Sequence, residues 1–123
     1  MEYQLKIEER PGYVIATGWG DHTIANASRF LREAHEACMA RGLDLLVLDF
    51  RLDGPSLGPA GIFAVTSGQA EAGKKMRKIA YVDASSREES RKRFAETVAF
   101  NRGVNVRLFG TLEEACKWIE APG

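Results

Sequence analysis

The sequence predicts an α/β fold: a five-stranded mixed β-sheet with four helices, in the order β-β-α-β-α-β-α-β-α. Three observations carry this. Two β-rich runs open the chain with only Arg10-Pro11-Gly12 between them, a turn that leaves room for nothing but an antiparallel hairpin. Beyond them, apolar runs of strand length alternate with stretches of helical period, the pattern of parallel strands joined by helical crossovers. One of those runs, Leu45 to Leu48 (LLVL), is apolar without interruption, as a central strand covered on both faces should be.

Taken in order, Tyr3, Leu5 and Ile7 alternate with Gln4, Lys6 and Glu8, giving a half-exposed first strand. Tyr13 to Trp19 (YVIATGW) is rich in β-branched and aromatic residues and makes the second. Ile24, Ala27, Leu31, Ala34 and Cys38 recur at spacings of three and four, an amphipathic helix that Gly42 stops. The Leu45 run follows, then the loop FRLDGPSLGPAG from Phe50 to Gly61. Pro59 suits the first turn of a second helix, with Ile62, Phe63, Val65, Thr66 and Ala70 on one face. Lys78 to Val82 (KIAYV) is the fourth strand. Ser86-Arg-Glu-Glu89 reads as a capping box opening a helix that ends at Gly103. Val104 to Phe109 alternates as an outer strand. Thr111-Leu-Glu-Glu114 is a second capping box, and its helix turns Leu112, Ala115, Cys116 and Ile119 inward.

The 123 residues suit one domain over 1–123, large enough to hide roughly two thirds of its unfolded surface. Apolar residues at 45% and charged residues at 28% fit an ordinary soluble globule. Lysine plus arginine balances aspartate plus glutamate, 17 against 17, which argues against nucleic acid as a partner. The first residues carry acids where a signal peptide needs bases, and no apolar stretch reaches membrane-spanning length. Cys38 and Cys116 lack any metal-ligand spacing and read as reduced, buried thiols. A cytoplasmic location is expected.

No catalytic constellation or metal site stands out, and no cofactor is expected. Asp49 and Asp53 flank Arg51 but have no third ligand nearby, so they read as a solvated rim. His22 and His35 stand apart and read as surface residues. Arg87, Arg91, Lys92 and Arg93 load one helix with positive charge that Glu88, Glu89 and Glu96 can neutralise. Lys74, Lys75, Arg77 and Lys78 form a second basic cluster. Both read as solvated faces. Trp118 reads as half buried. For Trp19 two roles are open, a cover for the sheet end near Ser56 or a patch at a homodimer contact.

Three stretches give the chain a family likeness: EERPGYVIATGWG, LDLLVLDF and FAETVAFNRGVNVRLFGTLEEACKWI. With them, the sequence resembles the STAS superfamily of sulfate transporters and anti-sigma-factor antagonists, and more closely its SpoIIAA-like group of small bacterial proteins. The resemblance implies a regulatory, non-enzymatic module whose partner is an anti-sigma factor or kinase-like protein. In the antagonists, a serine at the start of the second helix is phosphorylated by that partner, within an Asp-Ser pair followed by Ser or Ala and then Gly. Here the corresponding residues are Leu57-Gly58-Pro59-Ala60-Gly61, and Ser56 lies a few residues early. A serine switch is therefore not expected; the SpoIIAA-like group commonly lacks that serine too. The expected contact surface is the loop after the third strand and the start of the second helix, with Asp53, Ser56, Leu57, Ile62 and Phe63. STAS folds are also likened to CRAL-TRIO-type lipid-binding domains. The alternative is therefore a small-ligand or lipid carrier, with an apolar groove between the second helix (Ile62, Phe63 and Val65) and the sheet.

Overall fold

A computed structural model describes residues 1–123. Five strands form one sheet in the order β1 (Gln4–Arg10), β2 (Tyr13–Asp21), β3 (Leu45–Asp53), β4 (Lys78–Val82) and β5 (Val106–Phe109). β1 and β2 pair antiparallel, Arg10 opposite Tyr13, and every other pair is parallel. The helices are α1 (Ile24–Arg41), α2 (Pro59–Gly68), α3 (Ala70–Gly73), α4 (Glu89–Asn101) and α5 (Leu112–Glu120). No helix is long and apolar enough to cross a membrane.

The period-two pattern of each strand sorts side chains between two cores. Val14, Ala16, Leu46, Leu48 and Ile79 face α1, α3 and α4, where Phe30, Ala34, Cys38, Ala70 and Ala99 meet them. Ile15, Val47, Ala80 and Val82 face the other way, against Ala115 and Ile119 of α5. The crossovers from β2 to β5 all step in one direction, so right-handed connections put their helices on one face. The last helix alone covers the opposite face. Cys38 and Cys116 belong to these opposite cores and are unpaired, and burial pushes the Cys38 thiol up to about 11.

Local chemistry explains the element ends. Thr23 Oγ1 accepts from the Asn26 amide and caps α1. At the far end Gly42 takes φ 65°, ψ 31°, with Gly42 N bonded to Met39 O and Leu43 N to Cys38 O, which closes the helix as a left-handed turn. Thr111 caps α5 as expected: its Oγ1 accepts from the Glu114 amide at 3.2 Å and donates to the Glu114 carboxylate at 2.9 Å. Buried Lys78 closes the other end of α5, donating to the Trp118 and Ala121 carbonyls at 2.9 Å each. That removes Lys78 from the solvated cluster expected of it. Trp118 is half buried as expected, stacked at a tilt on Phe109. Trp19 is partly buried, between Gln4 and Arg51 in the sheet register.

Three further sequence expectations need correction. The chain has five helices, because the second helical stretch breaks at Gln69 (φ −105°, ψ 4°) just after Gly68 and restarts as the single turn α3. β3 runs on to Asp53, so the first residues of FRLDGPSLGPAG are strand. Leu52 is 1% exposed and packs with Ala27 and Val65, which holds this end of the strand in the sheet. Finally, Ser86 does not cap α4, which starts at Glu89 without a side-chain cap. The residues before it coil around Asp83 instead. Asp83 Oδ1 accepts from the Ser85 amide, and Ser85 Oγ accepts from the Arg87 amide.

Candidate functional site

The sheet face under α1, α2 and α4 does not close completely. Leu48 and Phe50 of β3 with Ile79 and Tyr81 of β4 form the floor of a cavity of about 130 Å³. Leu31 and His35 of α1 make one wall, and Ala95 and Ala99 of α4 the other. Ile62 and Val65 of α2 roof it, while Ser56 and Leu57 stand on the loop at its edge. Ala70, Ala95 and Ala99 leave this space, because none of their side chains is long enough to reach the floor, while Gly73 lets Val104 pack close.

One end of the cavity is polar and tightly knit. Asp83, 3% exposed, follows β4 and stands among donors from the Ser85 amide, Arg87 and Tyr81, with the Lys92 charge close by. Arg87 Nη2 lies 3.4 and 3.3 Å from its two oxygens. The Tyr81 hydroxyl donates to Oδ2 at 3.2 Å, and Lys92 Nζ lies 3.9 Å from Oδ1. Burial alone would raise the Asp83 pKa, but the hydrogen bonds from Ser85 and the charges of Arg87 and Lys92 outweigh it and hold the group below its usual range. Tyr81 is pushed up, by burial first and then by Asp83.

The cations also donate to backbone. Lys92 Nζ donates to the Asp83 and Ser85 carbonyls at 3.0 and 2.7 Å. Arg87 Nη1 donates to Gly54 O at 2.9 Å while its guanidinium lies 5.5 Å from the Phe50 ring centroid. Arg91 Nη1 donates to Leu57 O at 2.8 Å. Three residues expected on a solvated face therefore make inward bonds: Arg87 and Arg91 reach the loop carrying Ser56, and Lys92 ties α4 to the turn after β4. Arg93 keeps to the outer face, paired with Glu89 and Glu96, and Arg91 Nε also pairs there with Glu88 at 3.1 Å, as expected.

The histidines also depart from expectation. His22 is partly buried, edge-on to Phe50 at 5.2 Å, with Nδ1 donating to Pro55 O at 2.9 Å. Its pKa is lowered, by burial first and by the Arg87 charge second. His35 is fully inside, 4% exposed, on the cavity wall, and neither ring nitrogen has a hydrogen-bond partner. Burial lowers its pKa. The Gln69 side chain stands close enough to oppose that shift but outside hydrogen-bond geometry. The Ala27–Leu31–His35 spacing of four carries the signal for this placement.

The five expected contact residues divide. Ser56, Leu57 and Ile62 line the cavity, and Ile62 is buried rather than offered to a partner. Asp53 and Phe63 face solvent; Phe63 is 45% exposed, under the Arg102 guanidinium. Ser56 stands three residues before Pro59, outside the first turn of α2. Asp49 and Asp53 do not converge: Asp49 is buried and bonded to Arg51 at 3.1 Å. No three His, Cys, Asp or Glu side chains gather as a metal site would require. The cavity offers a shaped apolar volume and a rigid polar end, but no nucleophile held against a base: His22 bonds Pro55, not Ser56. Compared with known proteins, the chain matches no family model and no curated protein sequence.

Proposed function

We propose that this chain is a non-enzymatic binding domain of STAS type that holds a small apolar ligand between α2 and the sheet. The observation that carries this is the cavity of about 130 Å³ beneath Ile62 and Val65. The cavity is open along one side and its lining is mostly hydrophobic, the usual make-up of a small-ligand pocket. Engineered apolar cavities of about 150 Å³ stay dry and bind benzene, so this volume suits one ring or a short chain. The polar end supports the same reading. Its charges are satisfied by one another and by backbone, so it shapes one end of the site, and most of the remaining lining is apolar.

Titration with benzene-sized fragments, followed by amide NMR, tests this. Shifts should cluster at Leu31, Ile62, Val65 and Ile79. Ala95→Leu, at the partly exposed edge of the wall, should weaken binding about tenfold or more while leaving the fold unchanged. Scattered shifts, or the same affinity in Ala95→Leu, would remove the cavity as the site.

A second reading, a protein-interaction module akin to the anti-sigma-factor antagonists, draws support from Phe63 and Asp53, which stand exposed beside the same loop. On that reading Phe63→Ala and Asp53→Lys each weaken retention of a kinase-like partner about tenfold, the loss of one interface anchor, whereas Ser56→Ala does not. Equal retention by all three variants would exclude this surface.

A further inference from the structure

Resting on the cavity reading, we infer that the ligand is neutral and carries a hydroxyl, or a group of like hydrogen-bonding character, which His35 binds inside the cavity. His35 is 4% exposed, lines the cavity wall and leaves both Nδ1 and Nε2 unpartnered. A buried polar group without a partner costs free energy, and native structures rarely keep one without a use. Ser56, Thr66 and Gln69 also line the cavity without a side-chain hydrogen bond, but all three are partly exposed and can turn to water, while the charged groups and His22 are already engaged. Arg87 is spent on Asp83 and Gly54, Lys92 on the Asp83 and Ser85 carbonyls, Arg91 on Leu57, and His22 on Pro55. The buried polar capacity left without a partner is therefore the His35 imidazole.

The chemistry of that imidazole narrows the ligand class. Burial favours the neutral ring, which presents one donor and one acceptor nitrogen. A hydroxyl can serve either nitrogen. A carboxylate could accept one hydrogen bond from the neutral ring, but its charge would then be buried without a cation to balance it: burial opposes protonating the ring, and Arg87, Arg91 and Lys92 are tied to protein acceptors. A wholly apolar ligand would leave the ring as unsatisfied as before. The volume limits the rest of the molecule to about one ring.

Phenol, toluene and benzoate, matched in their single ring, separate these cases when titrated at about pH 8. Phenol should bind at least about tenfold more tightly than toluene, and benzoate at least about tenfold more weakly than phenol. In a cavity without a polar partner the first preference would reverse, because the hydroxyl would be buried unpaired. His35→Leu should therefore cost phenol about tenfold and leave toluene nearly unchanged. Should that variant not fold, the imidazole ¹⁵N resonances of His35 in the wild-type chain give the same answer: phenol should move them and toluene should not. Toluene binding as well as phenol, or benzoate binding best, would overturn the inference while the cavity reading stands. Binding of none of the three at roughly 10 mM would defeat both.

Discussion

Asp83→Ala should destabilise the fold by about 3–5 kcal/mol, a large share of the margin a domain of this size possesses. The cost arises less from the lost bonds than from what remains. Arg87 and Lys92 have side chains only 9% and 8% exposed, and without the carboxylate both are left as buried charges. The Tyr81 hydroxyl loses its acceptor and the Ser85 amide its turn. Lys92→Met should cost less, about 1–3 kcal/mol, because Asp83 keeps Arg87 and Ser85 while the methionine replaces the apolar stem. Urea unfolding at neutral pH measures both. The pH dependence follows in sign. The folded pKa of Asp83 lies below its ordinary 3.8, so its contribution is fully present above that value and disappears as pH falls through the folded pKa. The gap between wild type and Asp83→Ala should therefore narrow only in acid. A gap under about 1 kcal/mol at pH 7 would mean that the two cations reach water without the carboxylate.

That network also shows where the sequence stops being legible. Strand and helix periods are local, so the hairpin, the parallel core and the α5 cap could be read from neighbours in the chain. The cavity could not, because α1, β3, the Gly54–Gly58 loop, β4 and α4 each supply part of it. On a helical wheel Arg87, Arg91 and Lys92 look solvated, with Glu88, Glu89 and Glu96 at pairing distance. In the fold Arg91 and Arg93 do pair with these glutamates, but Glu96 also accepts from the Leu108 amide of β5 at 2.6 Å, and Arg87, Arg91 and Lys92 reach back to Asp83, Gly54 and Leu57. Such partners lie 4 to 34 residues away, and only tertiary contact selects among them. Two misses were within reach of the sequence. The alternation in Phe50-Arg51-Leu52-Asp53 continues the strand, and the spacing of four from Leu31 turns His35 inward. Both were obscured by residue type, a glycine-proline loop in one case and a histidine in the other.

The second large effect belongs to Phe30, which is 0% exposed and anchors α1 to the sheet. Its ring lies over Gly18 of β2, where an added Cβ would stand 2.6 Å from Cδ1 and 2.9 Å from Cγ and Cε1. Phe30 also meets Phe50 edge-on at 6.0 Å, and Phe50 in turn contacts His22, Tyr81 and Arg87 around the cavity. Phe30→Ala should cost about 3–5 kcal/mol, the lost burial plus an unfilled hole. Gly18→Ala should cost about 1–3 kcal/mol, because the ring is held on every side and cannot yield. Simple addition would put the double variant about 4–8 kcal/mol down, near or beyond unfolding. The contact predicts otherwise. With the ring gone, the methyl group introduced by Gly18→Ala enters vacated space, so the two losses should fall short of their sum by at least about 1 kcal/mol. Urea melts of the four proteins, compared as a double-mutant cycle, read this coupling. Strict additivity would show that Gly18 does not bear on Phe30 and that some other contact fixes α1 on the sheet.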